Sequence, residues 1–78
     1  MSARFPAETI AELELLARFS LNSLQSGLKI HHDAPVDVIG AAQRLFDKGM
    51  ITQDDGGYLT DRGHEAAESL MRVLSTLE

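Results

Sequence analysis

The sequence predicts a mainly α protein with one small antiparallel β-hairpin, in the order α-α-α-β-β-α, and three observations predict it. Apolar residues recur at helical spacing on both sides of a break at His31-His32-Asp33-Ala34-Pro35. Gly49 follows the last periodic residues, Leu45 and Phe46, where a left-handed residue commonly ends a helix. Two short β-prone runs then flank Asp54-Asp55-Gly56-Gly57, and a last periodic segment follows Thr60. The 78 residues read as one domain over 1–78. A chain of that size buries only about 60 % of its unfolded surface, so the core must be thin.

The first helix is expected to start after Pro6, whose fixed φ suits a first helical position, with Glu8, Glu12 and Glu14 near the positive end of the dipole. Ile10, Leu13, Leu16, Ala17 and Phe19 form its apolar side. Leu21, Leu24 and Leu28 extend that spacing, so one helix from Ala7 to Ile30 is an alternative. Ser20, Asn22, Ser23, Ser26 and Gly27 are poor helix formers, however, and Ser20 suits the N-cap of a second, short helix. The proline then disfavours α geometry at Ala34, and Asp33 or Ala34 is placed to flank a third helix whose first turn holds Pro35. In that helix Val38, Ala41, Ala42, Leu45 and Phe46 share one side, opposite Asp37, Gly40, Gln43, Arg44, Asp47 and Lys48.

Met50-Ile51-Thr52-Gln53 and Tyr58-Leu59-Thr60 are the candidate strands, joined by residues that tolerate the positive φ of tight hairpins. Thr60 is placed to cap a last helix with Asp61 in its first turn and Ala66, Ala67, Leu70, Met71, Val73, Leu74 and Leu77 on its apolar face.

Composition narrows the chemistry. Without cysteine, neither a disulfide framework nor a thiolate zinc site can staple the fold. The N-terminal residues lack the apolar run of a signal peptide or membrane span, so a cytoplasmic protein with no membrane partner is expected. The net charge is −5. It is unevenly spread: Ser20 to Met50 holds three bases and three acids, while the rest holds four bases and nine acids.

Leu45, Lys48, Gly49, Ile51, Gly56, Gly57, Tyr58, Leu59, Thr60 and Gly63 follow one another as a helix ending in Leu-x-x-basic-Gly, a strand, a Gly-containing tip, an aromatic with Leu-Thr, and a new helix. This order resembles the recognition helix and wing of bacterial winged helix-turn-helix regulators. The tight match covers less than a third of the chain. As a whole the chain also resembles small bacterial proteins of about this length described only as candidate DNA-binding proteins.

The resemblance implies double-stranded DNA as partner, with the helix from Val36 to Lys48 entering a major groove, and a role as transcriptional regulator or nucleoid accessory. Asp37, Gly40, Gln43 and Arg44 would then face bases, Gln43 reading adenine and Arg44 guanine. Ser23, Lys29, Lys48 and Thr52 suit phosphates. The same polar residues also read as the solvated face of a surface helix. Asp54 and Asp55 occupy a wing tip where a phosphate-gripping wing carries Lys or Arg. The alternative is a non-enzymatic protein-protein interaction module on the same scaffold.

Catalysis and cofactors are not expected. Gly56-Gly57 lacks the Lys-Ser or Lys-Thr of a phosphate loop, the serines fit caps and turns, and Glu12 with Glu65 or Glu68 reads as solvated helix surface. His31 and His32 are adjacent in a turn far in sequence from His64, so no metal is expected. Leu70, Met71, Leu74 and Leu77, with Ile10, Leu13 and Leu16, form either a homodimer seam through the terminal helices or an intramolecular cap over the core.

Overall fold

Helix α1 spans Ala7–Leu21 in the computed structural model, which describes residues 4–21 and 27–78. Strand β1 (Leu28–Lys29), helix α2 (Val36–Asp47), strands β2 (Ile51–Gln53) and β3 (Gly56–Leu59) and helix α3 (Asp61–Leu77) follow. Among the described residues the protein is therefore a mainly helical globule of three helices and a three-stranded antiparallel sheet, in the order β1-β3-β2. Its radius of gyration is 12.4 Å.

The face that α1 buries differs from the one expected. Leu15, Leu16 and Phe19 are buried together with Glu12, a spacing of i, i+3, i+4, i+7 that puts all four on one stripe. Ile10 and Leu13, expected in the core, are 43 % and 38 % exposed. A carboxylate thus holds a core-side position, and two aliphatic side chains sit outside it.

The expected second helix is replaced in part by a strand. Ser20 lies inside α1 rather than capping a new helix; its neighbour Ser23 lies outside the described residues. Leu28 pairs with Gly57 and Lys29 with Gly56, antiparallel to β3. Two local features favour this. Gly27 has φ of 71°, which a right-handed helix does not contain, and β3 has a free edge whose N–H and C=O groups need partners. Gly56 permits the approach, since a Cβ there would lie 2.1 Å from the Leu28 carbonyl oxygen. His31 to Pro35 is consequently a turn between a strand and a helix, not between two helices.

Pro35 itself is the N-cap of α2, one position beyond Ala34 and two beyond Asp33, the two expected flanking residues. The helix ends in a Schellman motif: the N–H of Gly49 bonds to Phe46 O and that of Met50 to Leu45 O, with Gly49 at φ of 76°. The hairpin turns over only two residues, Asp54 and Asp55, neither with positive φ. Gly56 and Gly57 supply the positive φ inside β3, next to a bulge between the Ile51–Leu59 and Gln53–Gly56 pairs. Thr60 caps α3 as expected, its hydroxyl oxygen accepting the Gly63 N–H at 3.1 Å.

Leu15, Phe19, Ile30, Ala41, Ala42, Leu45 and Ile51 make the core. Ala41 and Ala42, both fully buried, keep α2 thin where α1 crosses it. Leu45 and Ile51 are the largest fully buried side chains, each worth about 2–3 kcal/mol of burial.

Candidate functional site

The α1–α2 crossing decides what the basic residues of the chain can do. Arg44 is one helical turn after Gly40, and a Cβ at Gly40 would lie 3.1 Å from Arg44 Nη1. That missing side chain leaves room for the guanidinium to fold back along α2 toward α1. There Arg44 Nε donates to Glu12 Oε2 at 2.7 Å, and Arg44 Nη2 donates to the Glu8 carbonyl at 3.4 Å. Lys48, one turn further on, donates to Glu12 Oε1.

Glu12 is the anion at the centre, with a side chain only 11 % exposed. Burial pushes its carboxyl up, but the hydrogen bonds from Lys48 and Arg44 and their charges outweigh burial and hold it below the ordinary glutamate value. The two side chains proposed for a base and a phosphate therefore share one carboxylate.

The other expected contacts are dispersed. Lys29, on β1, is bonded to the Asp55 carboxylate at the hairpin turn. That hydrogen bond, helped by the lysine charge, keeps Asp55 below the ordinary aspartate value against the opposing effect of burial. Thr52 is exposed on β2, and its hydroxyl oxygen accepts the Tyr58 N–H at 2.9 Å, which ties the hairpin together. Asp37 is exposed in the first turn of α2, where its charge complements the helix N-terminus.

Gln43 is exposed and lines a cavity of about 280 Å³ with Lys29, Ile30, His31, His32, Ile39, Asp54 and Asp55. Lys29 and Gln43 thus meet at one cavity, whereas Arg44 and Lys48 turn toward α1. Among the described residues no three His, Asp or Glu side chains converge as metal ligands.

The reading of Glu12 as solvated surface is corrected by its burial. Its position was readable: Glu12, Leu15, Leu16 and Phe19 share one helical stripe, and a charged member of a buried stripe calls for a partner. What the sequence did not indicate was which cation, because Arg44 and Lys48 are 32 and 36 residues away.

A second, apolar feature lies between α1 and α3. A groove of about 210 Å³ is lined by Thr9, Glu12, Leu13, Leu16, Leu45, Lys48, Met50, Ala66 and Leu70. Of the expected seam residues on α3, Leu70, Met71 and Leu74 are half-buried and Leu77 is 76 % exposed. Val73, which the expected seam omitted, is 54 % exposed.

Fold and site define a small, mainly helical protein whose central helix is clamped to its first helix by paired charges, with an apolar groove beside the clamp. Residues 3–78 match DUF5669, described as a family of unknown function, and the chain belongs to that family. No curated protein and no solved structure matches the chain. No helix among the described residues is long and apolar enough to cross a membrane.

Proposed function

We propose that this chain is a non-enzymatic protein-interaction module on a winged-helix-like scaffold, and not a duplex-binding regulator. The scaffold reading is supported by the run of α2, a Gly49 stop, the β2–β3 hairpin and a Thr60-capped α3, with β1 completing the sheet. The observation that carries the functional reading is the engagement of Arg44 and Lys48 by Glu12.

A duplex gains affinity from basic side chains that replace counterions at phosphates. For Arg44 or Lys48 to do so here, a nearly buried carboxylate must lose one of its two partners, at a cost of about 2 kcal/mol. A single phosphate or base contact returns about as much, so little net affinity is left. Lys29 is paired with Asp55 as well, in an exposed ion pair that costs little to open, and Asp54 stands beside it at the hairpin tip. The surface offered to a duplex is thus neutralised from within.

The test is a titration of fluorescently labelled mixed-sequence duplex DNA with the full chain at low and at moderate salt. No saturable binding at low salt is expected. Saturable binding that weakens steeply with salt, and weakens again in Arg44→Ala, overturns the reading in favour of DNA.

A further inference from the structure

We propose that the partner of this module is a second copy of the chain, docked through the face that α1 and α3 share; this rests on the interaction-module reading. On α3, Ala66, Leu70, Val73 and Leu77 recur at spacings of four, three and four residues, which puts them on one narrow stripe. Exposure rises along that stripe: Ala66 and Leu70 are half-buried, and Val73 and Leu77 are more than half exposed. The buried residues of α3 are Gly63 and Ala67, both in its first half, so the chain's own core covers the apolar side chains of the second half only in part and leaves Val73 and Leu77 exposed. On α1, Ile10, Leu13 and Ala17 form a matching stripe, also outside the core, and Leu13 and Leu70 line the groove between the two helices.

Charge singles out a second copy as the occupant. At about 100° per residue, Asp61, Glu65 and Glu68 project from the other side of α3, and Glu8 and Glu12 from the other side of α1. Two molecules of net charge −5 can therefore meet on this face without stacking carboxylates. The charges that border the two stripes are one acid, Glu14 on α1, and one base, Arg62 on α3, both exposed. In a two-fold contact that lays α1 of each copy against α3 of the other, Glu14 of one copy approaches Arg62 of its mate, and the pair occurs twice. The result is a four-helix seam with an apolar centre and complementary rims.

The experiment is sedimentation equilibrium of the full chain over a wide concentration range. A mass twice the 8.5 kDa of the chain is expected. In the Val73→Glu/Leu77→Glu variant, whose positions are exposed in the single copy, dissociation should strengthen by roughly 100-fold while the circular dichroism spectrum keeps its helical signal. Glu14→Arg and Arg62→Glu should each weaken the dimer about threefold at low salt, and the double swap should restore it. A monomer at every concentration, a Val73→Glu/Leu77→Glu variant that still dimerises, or a double swap no better than the single ones overturns the proposal. The two readings fail separately: salt-sensitive DNA binding removes the interaction-module reading whatever the mass, and a monomer that ignores DNA removes only the second copy.

Discussion

Glu12 on α1 and Arg44 on α2 are joined by a 2.7 Å hydrogen bond from Nε to Oε2, across 32 positions of sequence. Lys48 completes the carboxylate's partners on its other oxygen. Two cations of the central helix and one nearly buried anion of the first helix thus form a single unit, with the Glu8 carboxylate 3.9 Å from Arg44 adding a second, exposed anion. Each member explains another: the charge of Glu12 is tolerable in a core-side stripe because two donors meet it, and the donors are ordered because the carboxylate fixes them.

Glu12→Gln should destabilise the fold by about 2 kcal/mol, measured as a lower denaturant midpoint at unchanged slope. The amide keeps the shape but loses the charge, and its NH₂ faces one of the two cations. Arg44 and Lys48 are 31 % and 53 % exposed at their side chains, so both can rehydrate, which keeps the loss below that of a fully buried pair. An unchanged midpoint would mean that the clamp contributes nothing net.

Acid should unfold the wild type through the same group. Its folded value lies below the ordinary glutamate value, so the folded state releases the proton more readily than the unfolded chain does. The stability it contributes is fully present above about pH 4.3, the ordinary value, and is lost as pH falls through the lowered folded value. Asp55, lowered by Lys29, acts in the same direction at the hairpin. Denaturation midpoints between pH 7 and pH 3 should therefore fall steeply only at the acid end, and Glu12→Gln should flatten that fall. An equal slope in the variant would assign the acid limb to other carboxylates.

What the sequence made legible follows from how local each signal is. Gly49 and Thr60 act through backbone conformation within a few residues, and the helix stop and the cap fall where they indicate; a hairpin also forms, but with Gly56 and Gly57 inside β3 rather than in the turn. β1 was not legible, because Leu28 and Lys29 become a strand through pairing with Gly56 and Gly57, some 28 positions away. The apolar side of α1 was misassigned for a related reason. Ile10 and Leu13 have the hydropathy of a core, and Glu12 does not, until the cations of α2 are brought to it. Eight candidate DNA contacts were therefore named by residue type and helix position, and tertiary pairing decides which of them are free.

Gly63→Ala tests whether sterics or helix propensity governs the start of α3. Alanine favours a helix interior over glycine by about 1 kcal/mol. A Cβ at Gly63, however, would lie 2.0 Å from the Met50 carbonyl oxygen and 3.0 Å from Leu59 Cδ2. The carbonyl belongs to backbone at the start of β2 and accepts the Thr60 N–H at 3.0 Å, so it cannot turn away without losing that bond. A net loss of about 3 kcal/mol is expected in thermal or chemical denaturation. Gly49→Ala is the contrast. No atom lies within 4 Å of its Cβ, so only the φ of 76° is strained and the loss should be about 1 kcal/mol. Gly49→Val should cost more, since a β-branched residue tolerates that φ least.

Thr60 joins the ends of two helices through one hydroxyl. Its oxygen accepts from Gly63 N at the start of α3, and its proton goes to the Gly49 carbonyl at the end of α2. Thr60→Ala removes both bonds and leaves the first turn of α3 with an unmet N–H, a loss of about 1–2 kcal/mol. Thr60→Ser keeps the oxygen and the proton and should retain most of that stability. Thr60→Val keeps the shape and loses the hydroxyl, so it should resemble alanine rather than serine. Because the lost contact with Gly49 lies at the join between α2 and the hairpin, amide hydrogen exchange should quicken in both Thr60→Ala and Thr60→Val around Met50 as well as in the first turn of α3. Faster exchange confined to α3 would show that the hydroxyl is a cap only, and that the Gly49 bond adds nothing to the hinge between helix and strand.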